Sequence, residues 1–312
     1  MKREISTFAL VSVLFVGVIG AGAVEEGLKA GLETVDRVYP RLAAGVLTFA
    51  RVGELPDGVL MRADGLELRM EDVDKLIAKQ QKQLRQQLKK NAFFALEQEA
   101  ETRLMLSQAK KALAAEEAKA AARKDAEIID DYKKRLTEKV TVNDDDIVRF
   151  YKENETMFCC TPLEKVKDLL RPHVLEANKQ RFVAEHIRAM GQRVDIIVSA
   201  SWAKAQGENA KENAVAKARA NGKATIAVFS SASCCGKDRM LGVVESLRKK
   251  YGERLNVVQV DARQEFILAA RYGVYSVPTS VFFDEAGKEV LRHSGLLSEK
   301  QFDDRLSEAG LN

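Results

Sequence analysis

The most constraining feature of this chain is the order of short segments across residues 224–295, with two adjacent cysteines at its first junction. Residues 224–229 are an apolar run rich in strand formers. Ser231-Ala-Ser-Cys234-Cys235-Gly-Lys237 follows, and residues 240–248 then carry apolar positions at helical spacing. A second strand is expected over 255–261 and a short helix over 264–272. After Val274-Tyr-Ser-Val-Pro-Thr279 comes a third strand over 280–283. Turn residues at 284–287 lead into a fourth strand over 289–293, and a helix over 298–309 closes the chain. Cysteines are thereby set between a buried strand and a helix N-terminus, facing a Val-Pro-Thr loop.

On Phe229, Cys234, Asp261, Tyr272-Gly273-Val274, Val277-Pro278-Thr279 and Gly295, the last hundred or so residues resemble the thioredoxin family. The resemblance implies a thioredoxin-fold α/β domain. It also implies that Pro278 is a cis-proline lying against the active-site sulfur, with Val277, Pro278 and Thr279 guiding the substrate chain. Cis X-Pro bonds are a minority state that folded context must hold. Four departures accompany the match. Cys234 fits the first cysteine of the family's Cys-x-x-Cys motif, but Lys237 stands where the resolving cysteine belongs. Ser230 and Ser233 replace the usual tryptophans, and the family's buried acid falls at Val228.

At the other end, Met1-Lys-Arg precedes an uncharged apolar run over residues 8–23 that closes on Ala21-Gly22-Ala23. This is the pattern of a secretory signal peptide, expected over 1–23. The alternative is an uncleaved anchor, although the run is short for a spanning helix of about 20 residues. The mature protein is therefore expected in the periplasm, where disulfides persist, touching a membrane only through an uncleaved N-terminal segment. Apolar residues at 46% and charged residues at 31% suit packed domains rather than disorder. A net charge of +4, with acids and bases interspersed, gives nucleic-acid binding no electrostatic support.

Residues 24–58 carry apolar positions at helical spacing between the breaks at Pro40 and Pro56, so amphipathic packing onto the next domain is expected. From Val59, two short strands flank Asp64-Gly65, a strong hairpin signal. Acids at 71, 72 and 74 then open a helix, where the dipole favours them. Long helices are expected over 71–90 and 92–113, the second with Phe93, Leu96, Ala100, Leu104 and Ala109 on one stripe. Residues 114–139 read as a solvated, charge-paired helix. Asn143 or a neighbouring Asp caps a helix whose Ile147, Phe150 and Tyr151 point inward. A long helix over 163–190 with a break or kink at Pro172, then a strand over 195–198, completes this part.

That order, with the Val140-Thr to Tyr151 signature and the Leu-Glu-rich helix around residues 94–106, resembles the N-terminal domain of SurA- and PpiC-type periplasmic chaperones. The isomerase domain that such proteins insert after the position of Phe158 has no room here. The fold class read from the chain is thus α plus α/β. It comprises a signal peptide over 1–23, a helical or linker segment over 24–58, a SurA-like helical domain over 59–205 and a thioredoxin-like domain over 206–312. The helical domain implies binding of non-native chains through an apolar cradle, with its own core as the plainer use of the same stripes.

Four cysteines in two vicinal pairs, Cys159-Cys160 and Cys234-Cys235, admit three uses. A bridge between the pairs would staple the domains together. A four-cysteine metal site fits the spacing poorly, because zinc takes Cys-x₂₋₄-Cys, and no metal or other cofactor is expected. The third use is a reactive Cys234, its thiolate favoured by the helix N-terminus and by Lys237 one turn on, with Cys235 able to resolve a mixed disulfide only after local rearrangement. The residues expected to carry thiol chemistry are Cys234, Cys235 and Lys237. The leading function is an exported protein that binds client polypeptides, with atypical thiol-disulfide activity. A genuine thiol-disulfide oxidoreductase and a redox-inactive structural module with bridged cysteines stay open beside it. Partners are unfolded or cysteine-containing clients and a redox partner protein. Of the three histidines (His173, His186, His293) none sits in an isomerase-like context. The chain is therefore expected to leave cis/trans exchange of a proline-containing peptide at its uncatalysed rate, and measurable acceleration refutes this.

Overall fold

In the computed structural model, residues 31–63, 65–113, 123–153, 158, 161–231 and 237–311 are described. The signal-peptide segment, Asp64, residues 114–122 of the charged stretch, and all four cysteines lie outside them. Helix α1 (Val35–Val38) and a 3-10 turn (Val46–Phe49) lead to strand β1 (Arg51–Gly53). The helical spacing of residues 24–58 is thus realised as one-turn pieces; Val35, Leu42 and Val46 are buried, but no continuous amphipathic helix forms among the described residues. Pro40 and the left-handed backbone of Arg41 (φ 66°) interrupt it.

Strands β2 (Val59–Ala63) and β3 (Leu66–Arg69) form the expected antiparallel hairpin, turning at Gly65 with φ 74°. Helix α2 (Met70–Ala78) starts where the Arg69 backbone N–H donates to the Asp72 carboxylate at 3.0 Å. One helix was expected over 71–90, but two form, because Gln81 is extended and begins α3 (Lys82–Lys90). Helix α4 (Ala92–Leu113) buries Phe93, Leu96, Ala100, Leu104 and Ala109, the stripe read from the sequence. Each fully buried Leu or Phe of this kind contributes about 1.5–3 kcal/mol.

Helix α5 (Asp125–Thr137) and helix α6 (Asp144–Glu153) follow; the Asn143 side chain accepts from Asp146 N–H at 2.8 Å. Ile147 is fully buried there with Leu170 and Val174, and Phe150 and Tyr151 pack beside them. A break or kink was expected at Pro172; helix α7 (Leu163–Arg193) is continuous across it, so there is no break. Proline removes one intrahelical donor at that point.

Strand β4 (Ile196–Ser199) pairs with β1 in parallel and β2 antiparallel, giving the order β1-β4-β2-β3. Helices α8 (Ala200–Ala210) and α9 (Ala214–Arg219) connect to a second sheet. It contains β5 (Ala224–Ser230), β6 (Leu255–Asp261), β7 (Thr279–Phe283) and β8 (Glu289–Ser294), in the order β6-β5-β7-β8. Helix α10 (Lys237–Tyr251) and helix α12 (Glu299–Glu308) cover one face around Ile226, Val228 and Phe282. Helix α11 (Phe266–Arg271) packs on the other, around Phe229, Val281 and Phe283.

Residues 33–312 form one compact unit. Ile267 of α11 belongs to the core of the helical part, and Phe266 meets Phe94 edge-on at 6.1 Å between ring centroids. Gln87 Nε2 donates to the Gln264 carbonyl at 2.5 Å across the same joint. The 3-10 turn presses on α7 at Gly191, where an added Cβ would lie 2.2 Å from the Val46 carbonyl oxygen. Gly191→Ala is therefore expected to lower stability by about 1–3 kcal/mol, the range for overpacking a tight site. Gly242→Ala, on the exposed side of α10 with open space around it, is expected to raise stability by up to about 1 kcal/mol. Urea midpoints of the two variants check both signs.

Candidate functional site

Strands β5 and β6 run parallel while β7 runs antiparallel to β5, so the end of β5 and the start of β7 meet at one edge of the sheet. Phe229 pairs with Thr279 there. Two features converge at that edge. The chain leaves β5 at Ser230 toward Cys234 and Cys235 and re-enters described structure at Lys237, which opens α10. Beside the end of β5 runs the loop of residues 274–278, whose Val277–Pro278 peptide bond is cis, as the resemblance implies.

Local hydrogen bonding fixes this loop. The Thr279 hydroxyl donates to the Ser276 carbonyl at 2.7 Å, and Gly295 N–H donates to the Pro278 carbonyl at 2.8 Å. Gly295 has φ 118°, a backbone only glycine adopts without strain. Pro278 and Thr279 are buried and Val277 half-buried, whereas Tyr275 is 80% exposed. An aromatic ring thus stands in solvent three residues before the cis-proline. Arg292 holds the loop's base, donating to the carbonyls of Tyr272 at 2.7 Å and Gly273 at 3.1 Å.

Beneath this edge the sheet carries a row across its strands, Gln259–Val228–Ser280–His293. Val228 is fully buried in the apolar face under α10 and α12. Ser280 Oγ is buried with no hydrogen-bond partner among the described residues. Burial, with Arg305 nearby, pushes the His293 imidazole below its ordinary value.

Sequence reasoning missed a second constellation. Arg41 places its guanidinium 4.8 Å from the Tyr272 ring centroid and 5.6 Å from that of Phe283, and pairs with Glu289 at 2.7 Å. Burial raises the Glu289 carboxyl, but hydrogen bonds from Arg292 and Arg41 outweigh it and hold the group below its usual range. Arg219 lies 4.6 Å from the Phe283 centroid and donates to the Gly287 carbonyl. Nothing in the spacing of Arg41 marks it. Glu97 and Glu101 did carry a signal, since both fall one helical turn from the apolar stripe of α4.

No group of His, Cys, Asp and Glu suited to a metal occurs among the described residues. A cavity of about 250 Å³ opens between Phe49, Arg51 and residues 191–196, in the helical part and outside residues 211–310.

The family described as Thioredoxin-like domain matches residues 211–310. Among solved structures, Fasciola hepatica thioredoxin is 30% identical over 28% of this chain and 82% of its own, with a TM-score of 0.26. A point-mutant thioredoxin from Halobacterium salinarum is 27% identical over 30% and 80%, with a TM-score of 0.28. A structure described as that of a malarial protein is 20% identical over 28% and 97%, with a TM-score of 0.27. No curated protein matches.

Because the Ser280 hydroxyl pays desolvation without a bond, Ser280→Ala is expected to be neutral or to stabilise by up to about 1 kcal/mol. A loss above that in thermal unfolding shows that the hydroxyl is engaged.

Proposed function

Residues 211–310 being a thioredoxin-like domain, we propose that this is an exported thioredoxin-family protein that binds client polypeptides and carries an atypical thiol activity at Cys234. The observation that carries this reading is the cis Val277–Pro278 loop at the edge where β5 hands the chain to Cys234 and α10. A client strand laid along Val277, Pro278 and Thr279 would meet Tyr275 and reach the cysteine at the head of the helix.

In the thiol step, the Cys234 thiolate attacks one sulfur of a client disulfide. A mixed disulfide forms and the other client sulfur leaves as a thiolate. Lys237 occupies the position of a resolving cysteine, so a thiol of a redox partner protein, or Cys235 after local rearrangement, must displace the client. Lys237 would favour the thiolate by its charge, and the α10 N-terminus by its dipole. The absence of a carboxylate at Val228 supports weak rather than vigorous turnover.

The helical part is proposed as the holding domain, in the manner of SurA-type chaperones. Its element order supports this, as do Leu169 and Phe182 on α7, which are 69% and 43% exposed. Export to the periplasm rests on the pattern of residues 1–23.

A thiol titration and a binding assay on the full chain test the reading. The alkylation rate of Cys234, followed by mass spectrometry against pH with Cys235→Ser as control, is expected to show a midpoint below the free-thiol value of about 8.5. Cys234→Ser is expected to abolish mixed-disulfide formation while leaving affinity for an unfolded, cysteine-free polypeptide unchanged. No binding of that polypeptide by the unaltered chain would sink client binding. A midpoint at or above the free-thiol value would sink the thiol activity, and resistance to alkylation until reductant is added would establish bridged cysteines.

A further inference from the structure

Residues 34–51 form a strap whose seats are shaped to receive it. Its ends close on each other, with Val35 N–H donating to the Ala50 carbonyl at 2.8 Å and Thr34 bridging Arg51. Gly207 of α8 leaves room for the Tyr39 ring, which an added Cβ would approach to 2.4 Å. Gly191 of α7 leaves room for the Val46 carbonyl. Arg41 reaches from the strap onto Tyr272, Phe283 and Glu289 of the thioredoxin-like domain.

The centre of the strap rests on two carboxyls one helical turn apart on α4. Glu97, 1% exposed, accepts from the N–H groups of Ala44 at 3.0 Å, Gly45 at 2.9 Å and Leu47 at 3.1 Å. Glu101 accepts from Val46 N–H at 3.4 Å and from Gln98 Nε2 at 3.2 Å. Arg271 of α11 faces Glu97, and Lys133 of α5 faces Glu101.

We propose that Glu97 and Glu101 form a proton-operated latch. One proton held between them keeps residues 44–47 seated on α4, and its release to solvent as pH rises loosens the strap and Arg41's hold on the thioredoxin-like sheet.

Two carboxylates this close in a water-poor setting resist being ionised together. Burial, then the Glu97 charge, pushes Glu101 up to about 8, against Val46 N–H, Lys133 and Gln98. Burial pushes Glu97 up as well, against its three N–H donors and Arg271, so the proton belongs to the pair. The sign follows from linkage. The seated state retains a proton that the open state, with an ordinary carboxyl near 4.5, releases. The seating contribution is full below 4.5, falls as pH rises from there to about 8, and is constant above.

Amide hydrogen exchange on the full chain, expressed as protection factors to remove intrinsic base catalysis, reads the latch directly. Protection at Ala44, Gly45 and Leu47 is expected to fall by roughly tenfold per pH unit between about pH 6 and 8, one proton being released per opening. In Glu101→Gln, which keeps an acceptor but cannot titrate, protection is expected to be independent of pH. Constant protection in the unaltered chain, or the same slope in Glu101→Gln, overturns the proposal. Should that variant fail to fold, a ¹³C titration of the Glu101 side chain in the unaltered protein decides: a midpoint near 8 supports the latch, and an ordinary one near 4.5 overturns it.

Discussion

Three backbone N–H groups converge on the buried carboxylate of Glu97, and the joint between the helical and thioredoxin-like parts depends on that contact. A charge in this position is tolerable only when its lone pairs are used. Ala44 and Gly45 lead into the 3-10 turn and Leu47 lies within it, and amides at the start of a helical turn have no carbonyl behind them inside it. The interaction is reciprocal. Without Glu97 three buried amides lose their acceptor, and without the turn a carboxylate stands in the core of α4. The same segment also sets Val46 against Gly191, Tyr39 in the gap at Gly207, and Arg41 against the second sheet.

Helix α11 completes the joint from the other side. Its Leu268 and Ala269 lie in the core of the thioredoxin-like domain, while Ile267 lies in the core of the helical part. Arg271, 8% exposed, brings its positive charge toward Glu97, and burial pulls its guanidinium below the ordinary value despite that neighbour. A helix shared by two cores cannot shift in one without disturbing the other. Since α11 runs directly into Tyr272 and the loop to Pro278, the helical part fixes the root of the cis-proline loop. A free-standing domain of this fold would have only its own sheet to do so.

The elements legible in the sequence are those governed by local pattern. The strands over 255–261 and 289–293, the hairpin at Gly65, the stripe of α4 and the Asn143 cap each express a period or a turn preference confined to a few residues. The cis peptide at Pro278 followed from a motif. Where local pattern misled, a neighbour or a single dihedral decided. The periodicity of residues 24–58 gave way to short turns, because Pro40 and the left-handed Arg41 redirect the chain into seats made elsewhere. The helix expected over 71–90 parts at Gln81, and α7 shows no break at Pro172. Arg41, Arg271 and the Glu97 contact are invisible in one dimension, since each matters only through residues 50 to 250 positions away.

The floor of the candidate site bears on how any thiol chemistry there can run. Across the sheet below it, the row Gln259–Val228–Ser280–His293 offers an amide, a methyl-bearing side chain, a hydroxyl and an imidazole, but no carboxylate. An internal acid would let a proton pass beneath the helix without reaching water. Here Val228 closes that route with an apolar side chain, and burial keeps His293 neutral rather than cationic near neutral pH. On the proposed reading, the Cys234 proton must then leave through the solvent side of the α10 N-terminus. The helix dipole and Lys237 can favour the thiolate there, but nothing in the row returns a proton to a leaving client sulfur. On that reading, the lack of an acid in the row favours capture of a cysteine-containing chain over repeated turnover.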